Sequence, residues 1–200
     1  MAILGIDDFK SKLTGGGARP SLFKATVNFP SYVSSANVEL TSFLCKQATI
    51  PASTIGGFEL GFRGRKVKIA GDRTFENLTL TVINDAEFDV RNAFEEWMNG
   101  INEHVNNTGL VDLSDYSADV TVEQLRKDGS TSKRYDFRGC WPSSVAAIDL
   151  NYDTVDSIEE FTVELQVQYW ESDTTSVSYT HLRAHETPEH LVCRLGREKK

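Results

Sequence analysis

Between Phe161 and Tyr169 the chain alternates without interruption. Phe161, Val163, Leu165, Val167 and Tyr169 are apolar, and Thr162, Glu164, Gln166 and Gln168 between them are polar. A period of two puts successive side chains on opposite faces of an extended strand, so this stretch is incompatible with a helix and predicts a long half-buried strand over Ile158–Trp170. The same period runs through LFKATVNFP, where Phe23, Ala25, Val27 and Phe29 face one way, Lys24, Thr26 and Asn28 the other, and Pro30 ends the strand. Further strands are expected at Glu39–Lys46, Leu78–Ile83, Val120–Leu125, Lys133–Cys140 and Val145–Tyr152, with a turn at Lys127-Asp128-Gly129-Ser130. Only one segment has a strong helical period. Val90, Phe94, Trp97, Met98 and Ile101 make one apolar stripe; Asn84 and Glu87 read as a cap and capping box, and the helix should end near His104. Many antiparallel strands and one helix predict a mainly β fold: two packed antiparallel sheets, as a sandwich or partly closed barrel, with one flanking α-helix.

Between the second and third expected strands lies ATIPASTIGGFELGFRGRKVKIAGDRTF, whose glycines and basic tip predict a long projecting hairpin or loop. Residues 1–20, with Gly15-Gly16-Gly17, read as a polar arm. The domain proper is expected over 18–171, and 172–200 reads as a C-terminal appendage, non-native or disordered, because its composition is foreign to the body. The start of the chain has no basic segment before an apolar core, and cytoplasmic residence is the expectation. The three cysteines then read as free thiols, Cys45 and Cys140 as small core residues.

The chain carries a formal net charge of −8, and residues 176–200 are themselves net basic, so the body is more acidic still. Gripping nucleic-acid phosphates runs on Lys and Arg, and an acidic body argues against it. Catalytic readings are weak. Cys140 and His104 as nucleophile and base lack any spacing that brings them together. The glycine run is followed by no Gly-Lys-Ser/Thr. Glu95-Glu96 read as a wet helix face, and Glu159-Glu160 as strand-start acids with no visible partner acid. His181, His185, His190 and Cys193 have zinc-like residue types, but Pro188 interrupts them, and no metal or other cofactor is expected. The most informative charges are Arg63, Arg65, Lys66, Lys68 and Arg73. They fit a solvated hairpin, a nucleic-acid patch without aromatic interleaving, or a self-assembly surface that meets the acidic body of a neighbour.

Several motifs also resemble one family in order and spacing. Ala18-Arg19-Pro20-Ser21-Leu22-Phe23 resembles its entry into the first strand, and Phe43-Leu44-Cys45-Lys46 with Pro51 its second strand and turn. Gly61-Phe62 through Arg65-Lys66, then Ala70-Gly71-Asp72-Arg73-Thr74-Phe75, resembles its hairpin region. Thr81-Val82-Ile83-Asn84-Asp85, Cys140-Trp141-Pro142 and Phe161-Thr162-Val163 through Tyr169-Trp170-Glu171 complete the match. The family is the tail tube protein of T-even type contractile-tailed bacteriophages.

The resemblance implies a structural subunit, not an enzyme, with a fold shared by type VI secretion tube proteins. It implies hexameric rings stacked into a hollow tube within the virion. The implied partners are copies of itself, the tail sheath, baseplate proteins, a tape-measure protein and a tail terminator, with DNA passing through the lumen without specific binding. On this view Arg63, Arg65, Lys66, Lys68, Asp72 and Arg73 are candidates for inter-ring stacking, with the hairpin at 57–70 reaching the next ring. Asp119, Thr121 and Glu123 are candidates for the lumen, where an acidic wall would repel the DNA backbone. A tube of a type VI-like or other contractile injection machine, carrying protein, is the alternative with the same fold.

Overall fold

The computed structural model describes residues 5–13 and 17–175. The short exposed helix α1 (Ile6–Lys12) precedes β1 (Phe23–Val27), α2 (Val38–Leu44), β2 (Cys45–Thr49) and the long pair β3 (Ser53–Phe62) and β4 (Arg65–Phe75). Then come β5 (Leu78–Ile83), α3 (Asp89–Ile101), the single turn α4 (Leu113–Tyr116), β6 (Ala118–Leu125), β7 (Thr131–Val145), β8 (Glu160–Gln166) and β9 (Tyr169–Ser172).

Two antiparallel sheets share one strand. The first half of β7 pairs with β6 and β9, and β6 pairs with β1; the second half of β7 pairs with β8, which continues to β5 and β2. The switch occurs at a bulge. Ala118 lies opposite Cys140 and Val120 opposite Phe137, so β7 carries an extra residue at Arg138-Gly139, and Gly139 has a φ of +60°. The inward residue shifts from Phe137 to Cys140, both fully buried. Bulges of this kind bend a strand and let it turn a corner between sheets. The predicted strand Ile158–Trp170 breaks at the same level: Gln168 N donates to Arg138 O, and Tyr169 begins β9 half exposed. One continuous period in the sequence therefore becomes two strands in different sheets.

The core is one cluster. Ala25, Val27, Val120 and Val122 line one sheet, Leu78, Leu80, Val82, Phe161, Val163 and Leu165 the other, and Val90, Ala93, Phe94 and Trp97 of α3 pack against them. The helical stripe is as expected, but the cap is not. Asn84 is buried, and its amide reaches Glu159; Asp85 instead accepts from the amides of Asp89 and Val90, so the helix begins later and ends at Ile101. The loop before α2 lies over α3: Phe29 packs edge-on against Phe94 and Trp97, and Tyr32 donates its hydroxyl to Trp97 O at 2.9 Å.

Three further expectations are corrected. Residues 39–46 are not one strand, because Asn37 caps α2 by accepting from Leu40 N, and Leu40 and Leu44, four apart, pack on the core. Residues 146–152 form no strand; their backbone is a looped excursion before β8. The fold also runs past residue 171. Ser172 is buried and bonds Thr174 and Thr175, while Lys133 reaches Asp173.

Candidate assembly surface

The β3–β4 hairpin stands apart as its own two-stranded sheet. Phe62 pairs with Arg65 across a two-residue turn, Arg63-Gly64, with φ of 45° and 84°. A two-residue turn of type I′ needs positive φ at both central residues, which glycine supplies freely at the second position. The Arg63 guanidinium sits 5.3 Å from the centroid of the Phe62 ring. The hairpin root is fixed by Glu76 N donating to Ala52 O and by Phe75 packing edge-on against Trp170.

The register divides the ribbon into two faces. Phe58 lies opposite Ile69, and Leu60 opposite Val67, with Phe62 and Arg65 completing the same side. These five apolar side chains are 39–65% exposed. The other face carries Glu59 opposite Lys68 and Gly61 opposite Lys66, with Lys66 paired diagonally to Glu59 at 2.9 Å. The structure thus gathers Arg63, Arg65, Lys66 and Lys68 toward the tip. Asp72 and Arg73 stand apart at the root, beyond a bulge between the Ile55 and Gly57 pairings, roughly 25 Å from the tip at about 3.3 Å per residue. Reading the segment for its cations missed the apolar face, although its alternation (Phe58, Leu60, Phe62, then Val67, Ile69) is plain in the chain.

Asp119, Thr121 and Glu123 do share the outward face of β6, but it is not simply acidic. The Asp119 carboxylate accepts from Arg138 and from the Gly139 amide, clamping the β7 bulge. Thr121 donates to Asp136, which also takes Arg134, and Glu123 sits between Lys24 of β1 and Arg134 of β7. The Asp119 bond holds Arg138 above its usual range, and that to Asp136 does the same for Arg134.

The other candidate chemistry dissolves. Cys140 is buried, which with the nearby Asp119 charge pushes its thiol up to about 12, and His104 is exposed beyond the end of α3. Glu95 pairs with Arg91, and Glu96 binds Ser34 and Ser35 instead of standing free in water. Glu160 pairs with Lys46 and not with a second acid. His181, His185, His190 and Cys193 lie outside the described residues, as do Gly15 and Gly16.

Comparison with known proteins gives the surface its context. Residues 18–173 match the model of a family described as phage tail tube protein. The chain belongs to the phage tail tube protein family. This tail tube protein is 32% identical over 168 residues to tail tube protein gp19 of Enterobacteria phage T4, covering 83% of this chain and 99% of the relative. It is 27% identical over 164 residues to the tail tube protein of Serratia phage KSP90, covering 80% and 93%. Its fold is also similar to a chain of the sheath-tube complex of an extracellular contractile injection system (PVC), with a TM-score of 0.57, 14% identity and coverage of 81% and 95%. A chain of the anti-feeding prophage baseplate gives a TM-score of 0.56 at 12% identity, covering 78% and 95%. As a tail tube protein it is a structural subunit, not an enzyme.

Proposed function

We propose that this tail tube subunit forms hexameric rings that stack into a hollow tube, and that the β3–β4 hairpin makes the contact between rings. The observation that carries this reading is the hairpin itself, an arm with one apolar and one charged face and, among the described residues, no layer against either. The strand path ends at β1 and β2, and exposed edges of that kind invite pairing with another chain. Joining edges around an axis closes a ring, whereas head-to-tail contacts along the axis do not close and so grow a filament. Permanent contacts of this type bury over ~2,000 Å². The assembling unit starts at residue 18 and includes Ser172 and Asp173, with the residues before it as an arm and those after it as an appendage.

The tube lies in the virion, is assembled in the host cytoplasm, and meets a sheath, a baseplate, a tape-measure protein and a terminator. Solved structures named for a sheath-tube complex, a baseplate and a tube-terminating cap contain chains of similar fold, which supports this setting. DNA passes through the lumen. The β6 row of Asp119, Thr121 and Glu123 is the candidate wall, and its matched charges suit that task, since Arg134 and Arg138 are already engaged by carboxylates and offer phosphate little to grip. Placement of this row outside the ring by cross-linking or a density map would remove that assignment.

The stacking reading is tested by reversing Arg65 and Lys66 to Glu. Both side chains are exposed, so the circular dichroism spectrum should be unchanged while negative-stain microscopy shows no long tubes. Long tubes from the double variant would refute it.

A further inference from the structure

The hairpin's receiving surface is also written on the chain. β5 and β8 run antiparallel, with Leu78 opposite Leu165 at one end and Ile83 opposite Glu160 at the other. The hairpin returns into β5 just before Leu78. The excursion 146–159 enters β8 at Glu160, and the loop 84–88 leaves β5 after Ile83; Asn84 N donates to Glu159 O where they meet. Hairpin and excursion therefore occupy opposite ends of the same strands, separated by the length of β5, roughly 17 Å at about 3.3 Å per residue.

The two ends are chemically complementary. The hairpin, residues 53–75, has Arg63, Arg65, Lys66, Lys68 and Arg73 against Glu59 and Asp72, a net charge of +3. The excursion, residues 146–159, has Asp149, Asp153, Asp156 and Glu159 and no Lys or Arg, a net charge of −4. Asp85, Glu87 and Asp89 of the neighbouring loop and helix start add to the same end. Among the described residues, Lys46 is already paired with Glu160 and Arg91 with Glu95. The excursion also exposes four large apolar side chains. Leu150 is 86% exposed, Tyr152 101%, Val155 85% and Ile158 71%, around a shallow depression of about 410 Å³ that Leu150 and Tyr152 help to line.

We propose that the acidic, apolar excursion 149–159 of one copy receives the basic, apolar hairpin of the next copy along the axis. The occupant is a second copy of this chain, because the complementary pattern of charge and exposed apolar surface stands at the other end of the same molecule. Identical subunits translated along β5 bring the two ends together, and the contact repeats without closing. Charge complementarity fixes the register, while burial of the apolar side chains supplies most of the affinity.

The inference rests on the stacking reading, and one set of variants separates the two. Asp153→Lys with Asp156→Lys should preserve the circular dichroism spectrum and abolish long tubes, as Arg65→Glu with Lys66→Glu does. The quadruple variant sets the introduced carboxylates at 65 and 66 against the introduced ammonium groups at 153 and 156, which restores attraction between the altered positions, and it should regain tubes. If the hairpin reversal alone still builds tubes, the stacking reading fails. If the hairpin reversal blocks growth but the loop reversal does not, or if the quadruple variant stays without tubes, the hairpin docks elsewhere and this inference is overturned.

Discussion

Glu96, on α3, holds Ser34 by two bonds at once: its carboxylate accepts from the Ser34 amide at 3.0 Å and from the Ser34 hydroxyl at 2.9 Å. Its other oxygen takes the Ser35 amide and hydroxyl in the same way. Led by the Ser34 amide, with the Ser35 hydroxyl and amide next, these bonds lower the carboxyl pKa from 4.5 to about 2. The depressed value stabilises the fold only while the group is ionised, so the contribution is complete above pH 4.5 and is lost as pH falls to about 2. Glu96→Gln should cost about 1 kcal/mol at pH 7, a figure kept low by solvent screening. The gap between the urea midpoints of wild type and variant should close as pH falls from 4.5 toward 2. A gap independent of pH would contradict this account.

Gly100 is expected to reverse the usual helix rule. Replacing glycine by alanine inside an exposed helix stabilises by about 1 kcal/mol. Here the new Cβ would lie 2.3 Å from Cε2 and 2.7 Å from Cζ of Tyr32. The ring is held there by its hydroxyl bond to Trp97 O. Gly100→Ala should therefore destabilise by about 1–3 kcal/mol in urea unfolding, the range for overpacking. A gain in stability would show that the loop at Tyr32 yields easily.

The apolar face of the hairpin should matter to assembly and not to the subunit. Phe58 and Leu60 are more than half exposed and belong to no core cluster. Phe58→Ser with Leu60→Ser should leave the unfolding free energy of the subunit, measured in urea, within about 0.5 kcal/mol of wild type, as surface changes do. Tube growth followed by microscopy should be lost. Tubes of normal length would mean that this face stays open to solvent in the assembly.

The described thiols should be slow to react. Burial, with Asp119's charge second, raises Cys140 to about 12, and burial raises Cys45 to about 11. Because the thiolate is the reactive form, little is present at pH 8. Alkylation of the folded protein at that pH, read by peptide mapping, should leave Cys140 unmodified and label Cys45 slowly, with both labelling quickly in denaturant. Fast labelling of Cys140 in the folded protein would contradict its placement in the core.

Much of the architecture is legible one residue at a time. Leu78–Ile83 alternates and forms a strand with those bounds, and the stripe from Val90 to Trp97 is the buried face of α3. These segments read correctly because each meets a single environment along its length. Other positions were misread where a short polar signal outweighed the apolar period. Asn37 caps a helix whose residues otherwise look strand-like, and Asp85, not Asn84, accepts the first free amides of α3.

The chain by itself determined the strand and helix periods and the projecting segment with its basic tip, because these are local properties of side-chain order. Only the tertiary structure decided that β7 bends at Gly139 and that β8 and β9 lie in different sheets. It alone decided that Asp119 clamps this corner, and that the basic hairpin and acidic excursion end up at opposite poles. Those outcomes depend on which strands pair and in what register. Strand pairing joins residues far apart in sequence, and no local period encodes the choice.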